Sequence, residues 1–371
     1  MAHAKRFPNR LFGVLAPSTA SPTHQVARRP EAGLASDGLA SLRVGQMLSV
    51  RIDGLGPDGQ GLGRYGDTAL LVPGGLPSEL LRVRLRRKAS RHLEADLIEV
   101  DERSVDRRRP PCILAGVCGG CSLQHYEDGA QAEFKTNQVA QTIRRIGQLA
   151  VPVASTLTAT SSLGYRNRAL IPLERTKDGV LRAGHYRRGS HRIVNMNRCP
   201  VLDPRIDALI RPLKIDLEVS GLPIDVNLTG SNGLRHLALR VGHHTGEVLV
   251  TLVSSHDQLP GLEELAKRWQ DRWPHVVGVG LNIQPRPNNV VMGPHTHVVR
   301  GRDWLLERFA DVELRITADT FFQVSARARG HTRTHARTHE HTLTTHTHPH
   351  SQHTHTHARA RARTHTRRFS R

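Results

Sequence analysis

The alternation of apolar and charged residues along the chain predicts where regular structure begins. Residues 1–41 are rich in Pro, Ala, Ser and Arg and show no sustained hydrophobic periodicity, so we expect a disordered basic leader there. From Val44 the texture changes to short strand-like runs separated by glycine-rich turns. The clearest runs are residues 47–52, 69–72 and 80–86. They predict a small domain of short β-strands.

The third of these runs alternates arginine with aliphatic residues. Arg82, Arg84 and Arg86 flank Val83 and Leu85. Successive side chains of a strand point to opposite faces, so one face should pack a core while the other presents a row of guanidinium groups. About sixty residues of short strands with basic outward positions are typical of a small OB-like barrel that binds RNA. A basic face that is merely solvated is the alternative.

Farther along, the pattern mixes helical and strand-like segments. Residues 129–149 resemble an amphipathic helix, and residues 164–325 alternate β-like runs with turns. The remaining predicted elements are a hairpin of 237–241 with 248–253, a helix over 262–273, and a second hairpin of 276–284 with 290–292 around Asn288-Asn289.

The last 46 residues differ in kind from the rest. Residues 326–371 contain eleven His, eleven Thr and ten Arg, and Leu343 and Phe369 are their only large apolar residues. No hydrophobic core can form from such a composition, so we expect a disordered low-complexity tail. Either the reading frame departs from the true domain after Ser325, or the tail is a genuine His-rich segment that binds metal or RNA.

Net charge favours a polyanionic partner. The chain carries +20, of which residues 326–371 supply +9, so the other 325 residues remain basic at +11. Nucleic acid is the simplest partner of that charge, and no protein partner is evident. No apolar run approaches the roughly 20 residues of a membrane span, so we expect a soluble protein. The cytoplasm is the expected location, with an organelle as alternative because residues 1–30 are basic and lack acidic residues.

The four cysteines are the densest chemistry in the sequence. Cys112, Cys118 and Cys121 form a C-x5-C-x2-C run, and Cys199 stands alone before a proline. Without a secretory signal, such thiols suggest ligands rather than disulfides. Gly119 and Gly120 leave room where backbone N–H groups could approach sulfur. Spacing alone favours an iron–sulfur cluster over a zinc ion or unligated thiols.

Several motifs converge on one family. They are residues 118–125 (Cys-Gly-Gly-Cys-Ser-Leu-Gln-His), 165–169 (Tyr-Arg-Asn-Arg-Ala), 184–191, 199–200 and 317–325 (Thr-Ala-Asp-Thr-Phe-Phe-Gln-Val-Ser). With them the chain resembles the SAM-dependent RNA uracil-5-methyltransferases that carry an iron–sulfur cluster, especially the bacterial large-subunit ribosomal RNA enzymes. The segment after the leader resembles the TRAM domain of that family.

The resemblance implies a multi-domain α+β fold. It divides the chain into a leader (1–41), an OB-like TRAM barrel (42–101), a central α/β iron–sulfur domain (102–316), the start of a Rossmann-like methyltransferase domain (317–325) and the tail (326–371). It implies a 4Fe–4S cluster on Cys112, Cys118, Cys121 and Cys199, and S-adenosylmethionine contacted by Gln323. The implied reaction is C5 methylation of a uridine, in ribosomal more than in transfer RNA.

The sequence departs from this family near its end. The family's nucleophilic cysteine, its general base and its SAM-binding fold follow the Phe-Phe-Gln motif, whereas residues 326–371 contain no Cys and only Glu340 as an acid. We therefore expect the catalytic domain to be missing, SAM binding to be doubtful and this chain to be inactive in methyl transfer. No catalytic residue is assigned, and whether this chain is an enzyme stays open. A non-catalytic RNA-binding iron–sulfur or zinc protein is the alternative function.

Seven arginines are candidate RNA contacts. By tying residue 199 to residues 112–121, a cluster would fix the central domain beside the motifs at 165–169 and 184–191, whose arginines could contact phosphates. Arginines that are merely solvated are again the alternative. The candidates are Arg82, Arg84, Arg86, Arg166, Arg168, Arg187 and Arg188.

Overall fold

The structure is a computed structural model that describes residues 41–224, 233–286, 288–309 and 312–325. The low-complexity tail expected over 326–371 lies outside these residues. So does the expected leader, apart from Ser41.

Five short strands close into a barrel in the order β1-β2-β3-β5-β4. Their bounds are β1 Met47–Leu55, β2 Gly61–Tyr65, β3 Thr68–Val72, β4 Leu80–Lys88 and β5 His92–Glu102. Neighbouring strands are antiparallel except β3 and β5. Along β4, Leu81, Val83 and Leu85 point into the barrel and are at most 1% exposed. The barrel that the alternation of β4 predicted is therefore present.

A six-stranded mixed sheet forms the centre of the remaining structure. Its order is β11-β10-β9-β8-β6-β7, and only β9 and β10 are parallel. The strands are β6 Arg168–Arg175, β7 Leu181–Ala183, β8 Leu234–Val241, β9 Val248–Ser254, β10 Val276–Ile283 and β11 His295–Gly301. Every residue of β8 and β9 is buried, as expected for strands covered on both faces.

Both predicted hairpins exist, one of them with different bounds. β8 and β9 pair with Leu237 opposite Leu252 and Val241 opposite Val248, which confirms the first hairpin. The strand that pairs with β10 begins at His295, so the prediction of a strand over 290–292 is wrong. The Asn282 side chain explains the shift, because its amide donates to the carbonyls of Gly293 and His295 and holds that segment as a connection.

Two helices cover the central sheet. α2 (Pro204–Val219) and α3 (Leu262–Arg272) bury apolar residues at spacings of three and four. α2 begins at Asp203, whose carboxylate accepts the backbone N–H of Arg205 and so caps the first turn. The predicted helix over 262–273 is thereby confirmed as α3.

The first helix differs from the other two. α1 (Asp128–Arg145) confirms the helix predicted over 129–149 but buries none of its residues. In the described ranges, no helix combines the length and the apolar character that a membrane crossing requires.

A two-stranded hairpin completes the described fold. β12 (Trp304–Phe309) and β13 (Val312–Thr317) pack Leu305 and Ile316 against Leu249 of β9. Glu307 of β12 is fully buried and accepts the backbone N–H groups of His243 and His244 at 2.7 and 3.2 Å. These bonds fasten the hairpin to the turn between β8 and β9.

Candidate functional site

All four cysteines line one cavity of about 190 Å³. Cys112, Cys118 and Cys121 lie in a loop of tight turns, where the Cys118 N–H donates to the carbonyl of Leu114 at 2.9 Å. Cys199 reaches the same cavity from the segment that precedes α2. The fold thus brings together the thiols that the sequence keeps far apart.

Cys199 is positioned by the first turn of α2. Its backbone N–H donates to Oδ1 of Asp207 at 2.5 Å, and the other carboxylate oxygen of Asp207 accepts from Arg198 at 3.2 Å. Asp207 itself is 7% exposed, so this anchor is shielded from water. No sequence pattern pointed to this role of Asp207, because an acid in a first helical turn ordinarily serves the helix dipole.

The two glycines of the Cys-Gly-Gly-Cys motif have different roles. The Gly120 N–H donates to Sγ of Cys118 at 3.4 Å, as the interpretation of that glycine anticipated. Gly119 instead makes room for a neighbouring backbone. A Cβ at Gly119 would lie 2.8 Å from the carbonyl oxygen of Tyr186 and 3.0 Å from the nitrogen of Arg188.

The electrostatics of the cavity oppose the free thiolate. Burial, together with the charges of the other three cysteines, raises the pKa of Cys199 to about 11. Burial also raises the pKa of Cys121, although the neighbouring Gln124 side chain and Arg166 act in the opposite direction. The thiolates of Cys121 and Cys199 are therefore favoured here only beside a positively charged group, and binding such a group would release protons.

The thiols surround a space and do not converge on a point. Within the described ranges, no three His, Cys, Asp or Glu side chains are close enough to ligate one metal ion. The cavity of about 190 Å³ exceeds the roughly 30 Å³ that one water molecule occupies. Its geometry therefore does not match the compact tetrahedron of a single zinc site.

Residues 184–194 form a short hairpin over the cysteine loop, here called the arginine hairpin. Arg187 N–H donates to the carbonyl of Arg192 at 2.8 Å, and Val194 N–H to that of His185 at 2.9 Å. Its turn carries Arg187, Arg188 and Arg192, all exposed. The Gly119 N–H donates to the carbonyl of Tyr186 at 2.9 Å and joins the cysteine loop to this hairpin.

The arginine hairpin has no local acidic balance. No Asp or Glu occurs between residues 182 and 198. Among the described residues, no carboxylate lies within ion-pair distance of Arg187, Arg188 or Arg192. The candidates Arg187 and Arg188 therefore present uncompensated charge, and Arg192 is a third member that the sequence reasoning missed.

The arginine row of β4 is outward-facing, as predicted, but largely neutralised. Arg82 is paired with Glu99 and lies 3.0 Å from Asp101. Arg86 lies 2.7 Å from Glu94. Arg84 stands opposite Asp96 in the register of β4 with β5, but among the described residues no carboxylate lies within ion-pair distance of Arg84. The acids that alternate along β5 were the signal that the sequence interpretation overlooked.

The other two candidate arginines lie near the cysteine cavity and the end of β13. Arg166 lines the cavity. Arg168 is half-buried, and burial lowers the pKa of its guanidinium, while the charge of Asp319 opposes that shift. The structure brings Arg166, Arg187 and Arg188 to the cysteine loop and keeps the β4 arginines on the barrel.

The segment expected to contact SAM is fastened to the central sheet. Asn167 donates from its side chain to the carbonyl of Gln323 at 3.1 Å and from its backbone to that of Val324 at 2.9 Å. Arg240 donates to the carbonyls of Thr317 and Thr320, both at 2.7 Å. Gln323 is exposed at this position, and its role toward SAM stays a prediction.

Comparison with known proteins supplies a context for this geometry. The TRAM domain family model matches residues 42–98. An uncharacterized RNA methyltransferase of Parasynechococcus marenigrum is 50% identical over 283 residues, covering 76% of this chain and 61% of the relative. One of Synechocystis is 44% identical over 285 residues, covering 76% of this chain and 62% of the relative.

A solved structure has a similar fold. The crystal structure of Pyrococcus abyssi tRNA (uracil-54, C5)-methyltransferase in complex with S-adenosyl-L-homocysteine aligns with a TM-score of 0.58 at 24% identity. The alignment covers 78% of this chain and 64% of that one. This chain thus carries a TRAM domain, is similar to RNA methyltransferases, and spans 61–62% of the length of the relatives named above.

These matches correct the predicted fold class. We expected the methyltransferase fold to be missing, and that prediction is wrong, because 78% of the chain aligns with the fold of a methyltransferase. The expectation took that fold to begin near residue 317, whereas the alignment extends over most of the chain. The matches do not support the expectation of a truncated chain, and they say nothing of an iron–sulfur cluster.

Proposed function

We propose that this chain acts in the S-adenosylmethionine-dependent methylation of C5 of a uridine in RNA. The observation that carries the proposal is the 50% identity to an RNA methyltransferase over 283 residues. A second support is the fold shared with a tRNA (uracil-54, C5)-methyltransferase that was crystallised with S-adenosyl-L-homocysteine. RNA is the proposed partner, and the cytoplasm the proposed location.

The chemistry of such a reaction defines what the chain must do. A uracil in a stacked helix hides its C5 and C6 atoms, so the base has to leave the stack before it can react. A protein that promotes this step needs an RNA-binding surface and a fixed geometry around the extruded base. The arginine hairpin, joined to the cysteine loop, supplies an exposed basic surface for the first requirement.

The proposed SAM contact is Gln323. Its backbone is held by Asn167, and its side chain is exposed at the end of the described structure. A fixed backbone with an exposed amide suits a residue that orients a polar cofactor group. Substitution Gln323→Ala is expected to weaken SAM binding in a calorimetric titration without changing RNA affinity.

We further propose Cys112, Cys118, Cys121 and Cys199 as ligands of a 4Fe–4S cluster. The fit rests on four thiols around one cavity and on the Gly120 N–H directed at sulfur. A cubane takes one thiolate per iron and so suits sulfurs spread around a space. When bound, its positive core would offset part of the charge of the four thiolates and cross-link the loop to the start of α2.

Iron analysis separates this proposal from the zinc alternative. The protein, reconstituted anaerobically with iron and sulfide, is expected to hold about four irons per chain, one per thiolate, and to absorb in the visible range. Cys199→Ser should abolish both signals. A protein that takes up one zinc and no iron would overturn the cluster assignment.

The ligand proposal also constrains catalysis. The four cysteines are the only thiols in the sequence, so ligation and nucleophilic attack on C6 of uracil would compete for the same residues. Trapping with RNA and SAM, followed by mass analysis of the peptides, tests which role holds. A covalent RNA adduct on any of the four would show that this cysteine is not a permanent ligand.

Methyl transfer itself is the decisive experiment for the function. The full chain is incubated with methyl-labelled SAM and with ribosomal RNA or transfer RNA transcripts, and label is expected in 5-methyluridine. We propose ribosomal RNA as the better acceptor, on the resemblance alone. A matched control transcript, made with 5-methyluridine in place of uridine, offers no C5 hydrogen and should stay unlabelled. Absence of label from both transcripts would overturn the proposed function.

A further inference from the structure

We propose that the arginine hairpin, residues 184–194, is the principal phosphate-binding surface of this chain, and that the arginine row of the barrel is not. The inference deepens the proposed function, because it rests on RNA being the partner. It assigns the contact to three residues, Arg187, Arg188 and Arg192, on one side of the cysteine loop.

Charge balance is the first ground for the inference. Arginine attracts a phosphate only to the extent that its charge is not already compensated nearby. On the barrel, Arg51, Arg82 and Arg86 each lie within 3.0 Å of a carboxylate. On the hairpin, none of the three arginines has such a partner among the described residues, and all three are exposed. Of these two arginine sets, the hairpin therefore presents more uncompensated charge to a polyanion.

The second ground is that the hairpin backbone is fixed. Gly184 N–H donates to the carbonyl of Pro172 in β6, and a Cβ at Gly184 would lie 1.9 Å from the carbonyl oxygen of Val194. Tyr186 and His191 make an edge-on ring contact, with centroids 5.9 Å apart, across the two strands. Phosphate contacts set register only when their backbone is held, and this hairpin is held at its base and along its length.

The third ground is the junction with the cysteine loop. Cys118 forms a β-bridge with Arg187, next to the hydrogen bond from Gly119 to Tyr186. His185 of the hairpin lines the cavity that the thiols share. A change in the cysteine loop must therefore displace the residues that carry Arg187 and Arg188.

A groove on the other side of the cysteine loop offers room for RNA. A groove of about 790 Å³ runs between α1 and residues 156–163 and meets the cysteine cavity at Gly120, Cys121 and Gln124. Tyr165 and Lys135 also line it. Phosphates held by the hairpin would thus lie one loop away from a groove large enough for nucleotides.

The test compares two double variants of the full chain, Arg187→Gln with Arg188→Gln, and Arg82→Gln with Arg86→Gln. Both remove two positive charges, so a change in net charge affects them equally. Affinity for a fluorescent 20-nucleotide oligouridylate is measured between 50 and 200 mM salt. The hairpin variant is expected to bind about ten-fold more weakly, with a salt slope lower by about 1.4 for two lost contacts to a single strand. The barrel variant should change less than about two-fold.

The following controls distinguish a variant that does not fold from an inference that is wrong. Arg187→Lys with Arg188→Lys keeps the charges and is expected to restore most of the affinity, which a merely structural role would not predict. Equal losses in the two Gln variants, or a larger loss in the barrel variant, would overturn the inference. If the unmodified chain binds no oligouridylate or ribosomal transcript at all, the proposed function fails rather than the choice of surface.

Discussion

The barrel strand β4 and the arginine hairpin carry the same residue type in opposite electrostatic settings. On β4, the arginines meet acids that alternate along β5 in the matching register, Arg82 against Glu99 and Arg86 near Glu94. On the hairpin, the arginines crowd a turn without acidic neighbours. A row of arginines in a sequence therefore predicts that these residues share a surface. Whether their charge is free to attract a phosphate depends on the acids that strand pairing places beside them.

A buried ion pair directly before β4 should give the largest effect on stability. Glu79 is fully buried and lies within 2.5–2.7 Å of Arg107, whose guanidinium also donates to the carbonyl of Gly74. Removing one partner of such a pair typically costs about 3–5 kcal/mol, because the other charge stays buried and unpaired. Glu79→Gln should lower the free energy of unfolding in urea by that amount.

The same variant sharpens the comparison between paired arginines. Glu99→Gln removes an exposed partner of Arg82 and serves as the matched control, since exposed pairs contribute little. A loss from Glu79→Gln no larger than that of Glu99→Gln would show that burial does not distinguish the two pairs. Burial opposes ionisation of Glu79, but bonds from Arg107, Leu76 and Ser104 hold its pKa below the usual range.

Acidification should give the second largest effect, a loss of folding stability. His236 lies in β8 opposite Pro172, the residue that accepts the Gly184 N–H at the base of the hairpin. Burial, with the nearby Arg235, lowers the pKa of His236 from 6.5 to about 4. The unfolded chain therefore binds this proton first, and stability falls as the pH drops from 6.5 towards 4.

The size of this stability loss follows from the difference between the two pKa values of His236, 6.5 in the unfolded chain and about 4 in the folded one. At roughly 1.4 kcal/mol per pH unit, the contribution of His236 approaches about 3 kcal/mol at pH 4 and does not grow below it. Urea unfolding at pH 7.5, 6 and 5 should show a steeper decline in the parent chain than in His236→Asn. Parallel declines would show that His236 is not buried in its neutral form.

Much of the fold was accessible to sequence reasoning where apolar residues alternate. The alternation found β1, β3 and β4, and a continuous apolar run found β9. β2 was missed because it begins among glycines that give no hydrophobic signal. Gly63 is required there, since its Cβ would lie 2.5 Å from the carbonyl oxygen of Arg51. The acidic β5 was missed because charged residues interrupt its apolar positions.

The candidate site was predictable to a similar extent and for a similar reason. Spacing singled out the four cysteines, and the fold gathers them around one cavity. Nothing in the sequence indicated that Asp207 would hold the Cys199 backbone, or that the arginine hairpin would pack on Gly119. Both contacts join segments remote in sequence, and no local pattern encodes a contact of that kind.

A single methyl group should displace the hairpin from the cysteine loop. In Gly119→Ala, the new Cβ would lie within 3.0 Å of the Tyr186 carbonyl and the Arg188 nitrogen, both of them backbone atoms. Overpacking of this kind costs about 1–3 kcal/mol, which the hairpin can relieve only by moving away. RNA affinity is therefore expected to fall while the barrel is unaffected.

Gly129→Ala is the matched control for that substitution. It adds the same methyl group in the first turn of α1, where nothing lies within 4 Å of the new atom. Oligouridylate binding by the two variants is compared with hydrogen exchange of residues 184–194. Unchanged exchange and affinity in Gly119→Ala would mean that the cysteine loop does not position the hairpin.

The smallest expected effect is a gain in RNA affinity, produced by making the arginines of β4 as unpaired as those of the arginine hairpin. If ion pairs with β5 keep the β4 arginines from binding phosphate, removing the acids of β5 should make these arginines available to RNA. Glu99→Gln with Asp101→Asn leaves Arg82 without its two carboxylate neighbours and raises the net charge of the barrel by two. One newly available phosphate contact is worth about three-fold in affinity at low salt, with a salt slope steeper by about 0.7. Because Glu263→Gln with Glu264→Gln in α3 alters net charge equally at a distance, it isolates the local effect. Equal gains in both variants would show that overall charge, and not pairing within the barrel, sets how strongly this chain attracts RNA.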